Sequence, residues 1–190
     1  MGVQRLIVGI SGASGCVYGL RLLEVLRNLN VETHLVVTRA AEKILESEVG
    51  LEIWEVRKLA SQWYEVDDLS APIASGSFST MGMVVAPCSM KTLAGIAYGY
   101  SENLLLRAAD VALKEGRRLI LVPRETPLSS IHLENMLKLA RMGVVILPAS
   151  PAYYHKPKTI EDLVDYVVGK ILDCLGLEHK LYRRWGEDKF

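Results

Sequence analysis

Four short clusters of small, hydroxyl-bearing and cationic residues each close an apolar run in this 190-residue chain. Gly9-Ile10-Ser11-Gly12-Ala13-Ser14-Gly15 follows Leu6-Ile7-Val8, and Thr38-Arg39 closes the run that begins at Val31. Cys88-Ser89-Met90-Lys91-Thr92 follows Met83-Val84-Val85-Ala86-Pro87, and Arg124-Glu125 follows Leu119-Ile120-Leu121-Val122-Pro123. Unpaired N–H groups at a helix start, with glycines that admit a close approach and nearby hydroxyls and cations, suit a bound phosphate. The glycines run G-x-x-G-x-x-G, which is not the dinucleotide pattern G-x-G-x-x-G. The second strand ends in Thr38-Arg39 where an acid would hold the ribose of NAD. A hydroxyl and a cation there suit a phosphate better than a ribose. Any one cluster reads equally well as a tight structural turn; their convergence is the stronger signal.

Convergence requires a particular scaffold. Apolar runs at 6–8, 31–38, 83–87, 119–123 and 144–147 read as strands, with a short one over Trp63 to Val66. Between them lie amphipathic stretches: apolar spacing at 18, 22, 25, 26 and 29, and Ala40 to about Leu59 with a break near Gly50. A helix through Ala97 starts from Ser89, and Leu104 to Glu115 forms another. Ser129 or Ser130 caps a helix whose apolar face is Leu133, Met136, Leu137 and Ala140. Thr159 with Asp162 caps one with apolar positions 160, 163, 164, 167, 168, 171, 172 and 175. Ser70 to Thr80 reads as a loop. Continuously apolar strands alternating with helices predict an α/β fold, a mostly parallel sheet covered on both faces. Ligands bind beyond the carboxyl ends of such strands, where all four clusters fall.

The chain has 22 basic and 22 acidic residues and is 50% hydrophobic. One domain spanning 1–190, with a C-terminal tail from about residue 176, accommodates that. The charge balance argues against nucleic acid or an anionic membrane as partner. Cys16, Cys88 and Cys174 are widely spaced, without metal-ligand spacing, and no apolar run reaches a membrane span. The expectation is a cytoplasmic protein with thiols and no metal.

Taken together, Ser11 to Gly15 with Tyr18-Gly19, Ala74-Ser75-Gly76-Ser77, Pro87 to Leu93, Arg107 to Glu115, Pro123 to Pro127 and Pro151-Ala152-Tyr153-Tyr154-His155 resemble the UbiX-type flavin prenyltransferase family over nearly the whole chain. The resemblance implies a three-layer α/β/α Rossmann-like flavoprotein domain with a six-stranded parallel sheet, assembled into a homo-oligomer, commonly a dodecamer. It further implies metal-independent transfer of the dimethylallyl group of dimethylallyl phosphate to N5 and C6 of reduced FMN. The prenylated FMN would then pass to a UbiD-type decarboxylase.

By the same resemblance Gly12, Ala13, Ser14, Thr38, Ser89, Met90, Lys91, Thr92 and Arg124 fall on FMN-binding positions. Tyr154 and Lys170 fall on prenyl-phosphate positions. Arg107, Lys114 and Glu125 match charged site positions that neighbouring subunits share, and Glu48 matches a carboxylate near the flavin. Breaking an allylic C–O bond leaves a carbocation-like group and a phosphate, so Lys114, Arg124, Lys170 and Tyr154 would stabilise the developing charge. Glu48, or next Glu125, would take the proton if burial raised its pKa toward neutrality. Ser14 would stand between flavin and donor.

Plainer readings exist for several of these positions. Lys170 suits a helix end as any cation does, and where the family often has arginine it cannot make a bidentate phosphate contact. Glu48 reads as part of a solvated acidic face, Tyr153 and Tyr154 as loop packing, and Cys88 as a small buried residue. His34, His132 and His155 read as structural, and Arg183-Arg184-Trp185-Gly186 as a docking tail. Two other readings are an FMN-dependent cysteine decarboxylase of the same fold and a non-catalytic FMN-binding accessory subunit. The first expects an Asn-bearing segment where Pro87 to Thr92 stand; the second has no need of Glu48, Lys114, Glu125 and Tyr154.

Overall fold

The computed structural model describes residues 4–186. Strands β1 (Arg5–Ile10), β2 (Glu32–Val37), β3 (Gln62–Tyr64), β4 (Gly82–Cys88), β5 (Arg118–Pro123) and β6 (Val145–Ile146) form one parallel sheet. Their order is β3-β2-β1-β4-β5-β6. Every residue of β4 is buried, as are the last five of β1, β2 and β5. That is why these strands read as unbroken apolar runs rather than alternating ones.

Two layers of helices supply the cover. On one face α1 (Cys16–Asn28), α2 (Arg39–Val49), α3 (Ile53–Arg57) and α7 (Ile160–Leu175) enclose a core built around Leu6, Val8, Leu22, Leu23, Leu26 and Ile171. On the other, α4 (Met90–Ala97), α5 (Leu104–Lys114), α6 (Ser130–Arg141) and a short 3-10 turn at Pro72–Ala74 enclose Ile7, Met83, Val85, Leu93, Leu105 and Leu121. Strand β1 thus passes to α1 on one face, and its neighbour β4 to α4 on the other. The chain reverses direction between them, opening a crevice at their carboxyl ends.

One helix faces differently from its pattern. The structure buries Asn135 and Leu139 of α6 and leaves Leu133 and Leu137 about half exposed. Of the row predicted to face the core, only Met136 packs against it, while Leu133, Leu137 and Ala140 are turned outward, as are Leu128, Ile131 and Met142. The physical reason is position. Strand β6 has only two residues, so α6 stands beyond most of the sheet and leans on α4 instead. An amphipathic pattern records that an apolar neighbour is needed, not that it belongs to the same chain. Ile160, also in a predicted apolar row, is exposed for the related reason that it begins its helix.

Candidate active site

Ser11 joins the two loops of the crevice. Its N–H and its hydroxyl both donate to the Pro87 carbonyl, at 3.2 and 3.1 Å, while its Oγ accepts the Ser89 N–H at 2.8 Å. The glycine loop and the β4–α4 loop are therefore one rigid wall. Ser89 caps α4, its Oγ accepting the Thr92 N–H at 3.3 Å and donating to Thr92 Oγ1 at 3.1 Å. Thr38 caps α2 through the Ala41 N–H at 3.3 Å, and Asn103 caps α5 through the Leu106 N–H at 3.0 Å.

These three caps line one cleft of about 600 Å3, together with Gly12, Arg39, Met90, Lys91, Thr92 and Glu125. That volume lies within the roughly 300–1,000 Å3 of small-molecule sites. Three helix N-termini at one cleft aim backbone N–H dipoles at it, and its charged lining is mixed: Lys91, and Arg39 paired with Asp67, stand with Glu102 and Glu125. A second cavity of about 600 Å3 lies at the opposite ends of the strands, lined by Arg117, Arg118 and Val144 among others. It has no helix N-terminus, which makes the β1/β4 cleft the candidate site.

The start of α1 is arranged differently from the expected phosphate cradle. Gly15, at φ 101°, is the left-handed residue before α1, a conformation that glycine adopts without strain. The N–H groups of Gly15 and Cys16 donate to Glu48 Oε2, at 2.9 and 3.3 Å. The anion at this helix terminus is a carboxylate of the chain itself. Partial burial disfavours the charged form of Glu48. Hydrogen bonds from Ser14, Gly15 and Cys16, with the charge of Arg124, outweigh it and hold the carboxyl below its usual range. The sequence-based expectation of a carboxyl raised toward neutrality is not met. Burial first and then the same carboxylate push the Cys16 thiol up to about 12, and burial alone pushes Cys88 up, so both sites disfavour the thiolate form.

Arg124, released at the end of β5, donates from Nε to the Ser14 carbonyl at 3.0 Å. It stands beside the cleft lining with Ser14, while Ala13 is buried under the loop. Tyr18 lies here too, its phenol raised by burial against the lowering effect of Arg124, with Tyr153 raising it further. Glu125 faces the cleft and accepts the Thr126 N–H at 3.0 Å. The loop carrying Tyr153 places Tyr154 against Trp185 and Tyr166, ring centroids 5.3 and 6.1 Å apart. Burial raises the Tyr154 phenol; Lys170 and Arg184 act on it in the opposite sense. Tyr154, in the loop before α7, and Lys170, on that helix, therefore belong to one patch.

Arg107 and Lys114 are not brought to the cleft within the single chain. They project from α5 toward residues 72–77, where Arg107 Nε donates to the Ala74 carbonyl at 3.1 Å and pairs with Asp110 at 2.8 Å. Lys114 pairs with Glu115 beside Gly76. Val66, Asp67, Glu102 and Asn103, by contrast, line the cleft without having been singled out. Only Asn103 carried a local signal, as a cap residue three positions before a donor N–H.

A family model described as "Flavoprotein" matches residues 1–172. The chain is 58% identical to a probable UbiX-like flavin prenyltransferase of Streptomyces sp. (strain D7), over 96% of this chain and 92% of that protein. Among solved structures it superposes with a TM-score of 0.97 on AnUbiX (PadA1) in complex with FMN and dimethylallyl pyrophosphate. That pair is 48% identical and covers 99% of this chain and 100% of the other. It also superposes with a TM-score of 0.94 on a dodecameric FMN-dependent UbiX-like decarboxylase from Escherichia coli O157:H7. That pair is 54% identical and covers 96% and 99%.

Proposed function

The chain belongs to the UbiX-type flavin prenyltransferases of the flavoprotein family, and from that membership we propose how its residues divide the work. It transfers the dimethylallyl group of a prenyl phosphate to N5 and C6 of reduced FMN. One observation carries the residue reading: three capped helix N-termini, from α2, α4 and α5, open into a single cleft beside the Ser14–Glu48–Arg124 cluster.

The cleft residues fit FMN. Thr38, Ser89 and Thr92 would offer hydroxyls to its phosphate and ribityl chain, Lys91 a cation, and Arg124 a guanidinium beside Ser14. FMN in its reduced form supplies the nucleophilic N5 and C6. Tyr154 and Lys170 hold the prenyl phosphate and take up the negative charge that develops on it as the allylic C–O bond lengthens. Ser14 stands between them, its hydroxyl held by Glu48. Glu48 is the first candidate to accept a proton at Oε2. Its ionised state suits acceptance, while the hydrogen bonds that lower its pKa make it a weak base until Ser14 turns to another partner. Glu125 is the second candidate.

Arg107 and Lys114 act from neighbouring subunits in this reading. The outward apolar row of α6 supports an assembly of copies, as in the dodecameric relative. Among the described residues no helix is long and apolar enough to cross a membrane, and the three cysteines are thiols. A cytoplasmic location, with product handed to a UbiD-type decarboxylase, accords with these features. The test is anaerobic incubation with reduced FMN and dimethylallyl phosphate, followed by mass spectrometry of the flavin. A gain of one prenyl group is expected; unmodified FMN after prolonged incubation overturns the reading.

A further inference from the structure

Beyond Gly176, which ends α7, the chain folds back along that helix. Gly169 permits this: a Cβ there would lie 2.6 Å from Tyr182 Cδ1 and 2.8 Å from His179 Cε1. The returning segment gathers on one α7 carboxylate, Asp173. Arg184 Nη2 donates to its Oδ1 at 2.6 Å, Lys170 Nζ to its Oδ2 at 3.3 Å, and the Tyr182 hydroxyl also to Oδ2. His179 accepts the Leu181 N–H at Nδ1 (3.2 Å), so its proton resides on Nε2, which donates to Oδ1 at 3.1 Å. Two cationic side chains thus meet on one carboxylate.

The layering is informative. The Asp173 side chain is only 19% exposed, whereas Lys170 and Arg184 are 43% and 39% exposed. The carboxylate is covered and the cations lie outermost. Tail docking does not demand this, since Tyr182 and His179 already tie the segment to Asp173. The layering suits a phosphate, which two outward cations beside a hydroxyl donor can hold. That hydroxyl is at hand: Tyr154 is linked through Tyr166, at 6.1 Å, to Tyr182, at 4.8 Å. Lysine alone offers a point charge, whereas a guanidinium offers the planar fork that matches phosphate.

We propose that Arg184 is a second phosphate ligand for the prenyl donor beside Lys170, and that Asp173 is the positioning residue holding the two cations together. The inference rests on the reading of Tyr154 and Lys170 as the prenyl-phosphate site. In this chain Arg184 supplies from the tail the bidentate group that Lys170 lacks.

The test uses the full-length, FMN-loaded protein. Calorimetric titration with inorganic phosphate is run beside separate KM measurements for dimethylallyl phosphate and reduced FMN. Arg184→Ala should weaken phosphate binding and raise the donor KM by about tenfold or more, with the flavin KM within about twofold. Arg184→Lys should recover most of the charge-dependent part, within about threefold of the native value. Asp173→Asn should weaken phosphate in the same direction by loosening both cations. Tyr182→Phe removes a docking bond without changing charge, and should leave phosphate affinity within about twofold. Native phosphate affinity in Arg184→Ala, or an equal loss in Tyr182→Phe, would show that the tail only docks and would overturn the proposal. If the native protein prenylates no flavin, the functional reading fails. The phosphate titrations still decide the role of Arg184.

Discussion

Replacing Ser11 by alanine should loosen the whole cleft from beneath, although Ser11 is not part of the cleft lining. Ser11 is fully buried, and its Oγ is the acceptor for the Ser89 N–H at 2.8 Å. Alanine leaves that N–H without this partner. An orphaned buried donor costs about 1–3 kcal/mol, and because Ser89 is only half-buried the lower part of that range, about 1–2 kcal/mol, applies. The Pro87 carbonyl still receives the Ser11 N–H, so it adds little. For a chain of this size each kcal/mol moves the unfolding midpoint by about 2–4 °C, giving a fall of about 2–8 °C. Because Ser89 caps α4 and lines the cleft, FMN affinity should weaken in parallel. The assay is thermal unfolding at fixed protein concentration, with and without FMN, beside a flavin-fluorescence titration. Ser11→Ala with native midpoint and native FMN affinity would refute the idea that this one hydroxyl couples the two loops.

Other outcomes follow from the same geometry. Glu48→Gln keeps an acceptor for the Gly15 and Cys16 amides, so FMN should still bind while prenyl transfer falls by about 10²–10⁴-fold; single-turnover flavin mass spectra measure this. Arg124→Ala should instead weaken FMN retention itself, by about tenfold or more, read by equilibrium dialysis. Asp173 has its pKa depressed: partial burial opposes this, but bonds from Arg184, Tyr182, His179 and Lys170 prevail. A depressed carboxyl stabilises the folded state fully above the unfolded value of about 3.9, and that stabilisation is lost as pH falls below it. Hydrogen exchange of residues 177–186 should therefore accelerate in acid in the native protein, and Asp173→Asn should abolish that dependence. Leu137→Glu places a charge in the outward row of α6 and should yield smaller species in sedimentation, with monomer-sized protein still folded by circular dichroism.

What the sequence disclosed and what it withheld divide along the range of the forces involved. Strands β1, β2, β4 and β5 were readable because burial on both faces leaves no polar alternation to confuse. The caps at Ser89, Ser129 and Thr159 were readable because a side chain meets an N–H three residues away. Glu48 is different. Its family position was recognisable, but its bond to Gly15 spans 33 residues and depends on α2 lying against the glycine loop. Asn103 went unread, because nothing local marks it as the third cap of one cleft. The row on α6 was readable as apolar, but Leu133 and Leu137 meet no apolar cover within the described residues. Asp173 passed unnoticed because its four donors come from two segments that meet only after Gly169 admits the tail.

The carboxylate at the start of α1 has a consequence for selectivity. Glu48 is an intramolecular ligand, tethered so that its effective concentration at the Gly15 and Cys16 amides is at least in the millimolar range. Any free anion must compete with that tethered one. Small inorganic anions at lower concentration lose the competition, and a substrate gains entry only by bringing further contacts from elsewhere in the cleft. An anion that takes these two amides must first displace Glu48, so its binding there depends on the other groups it engages at the same time.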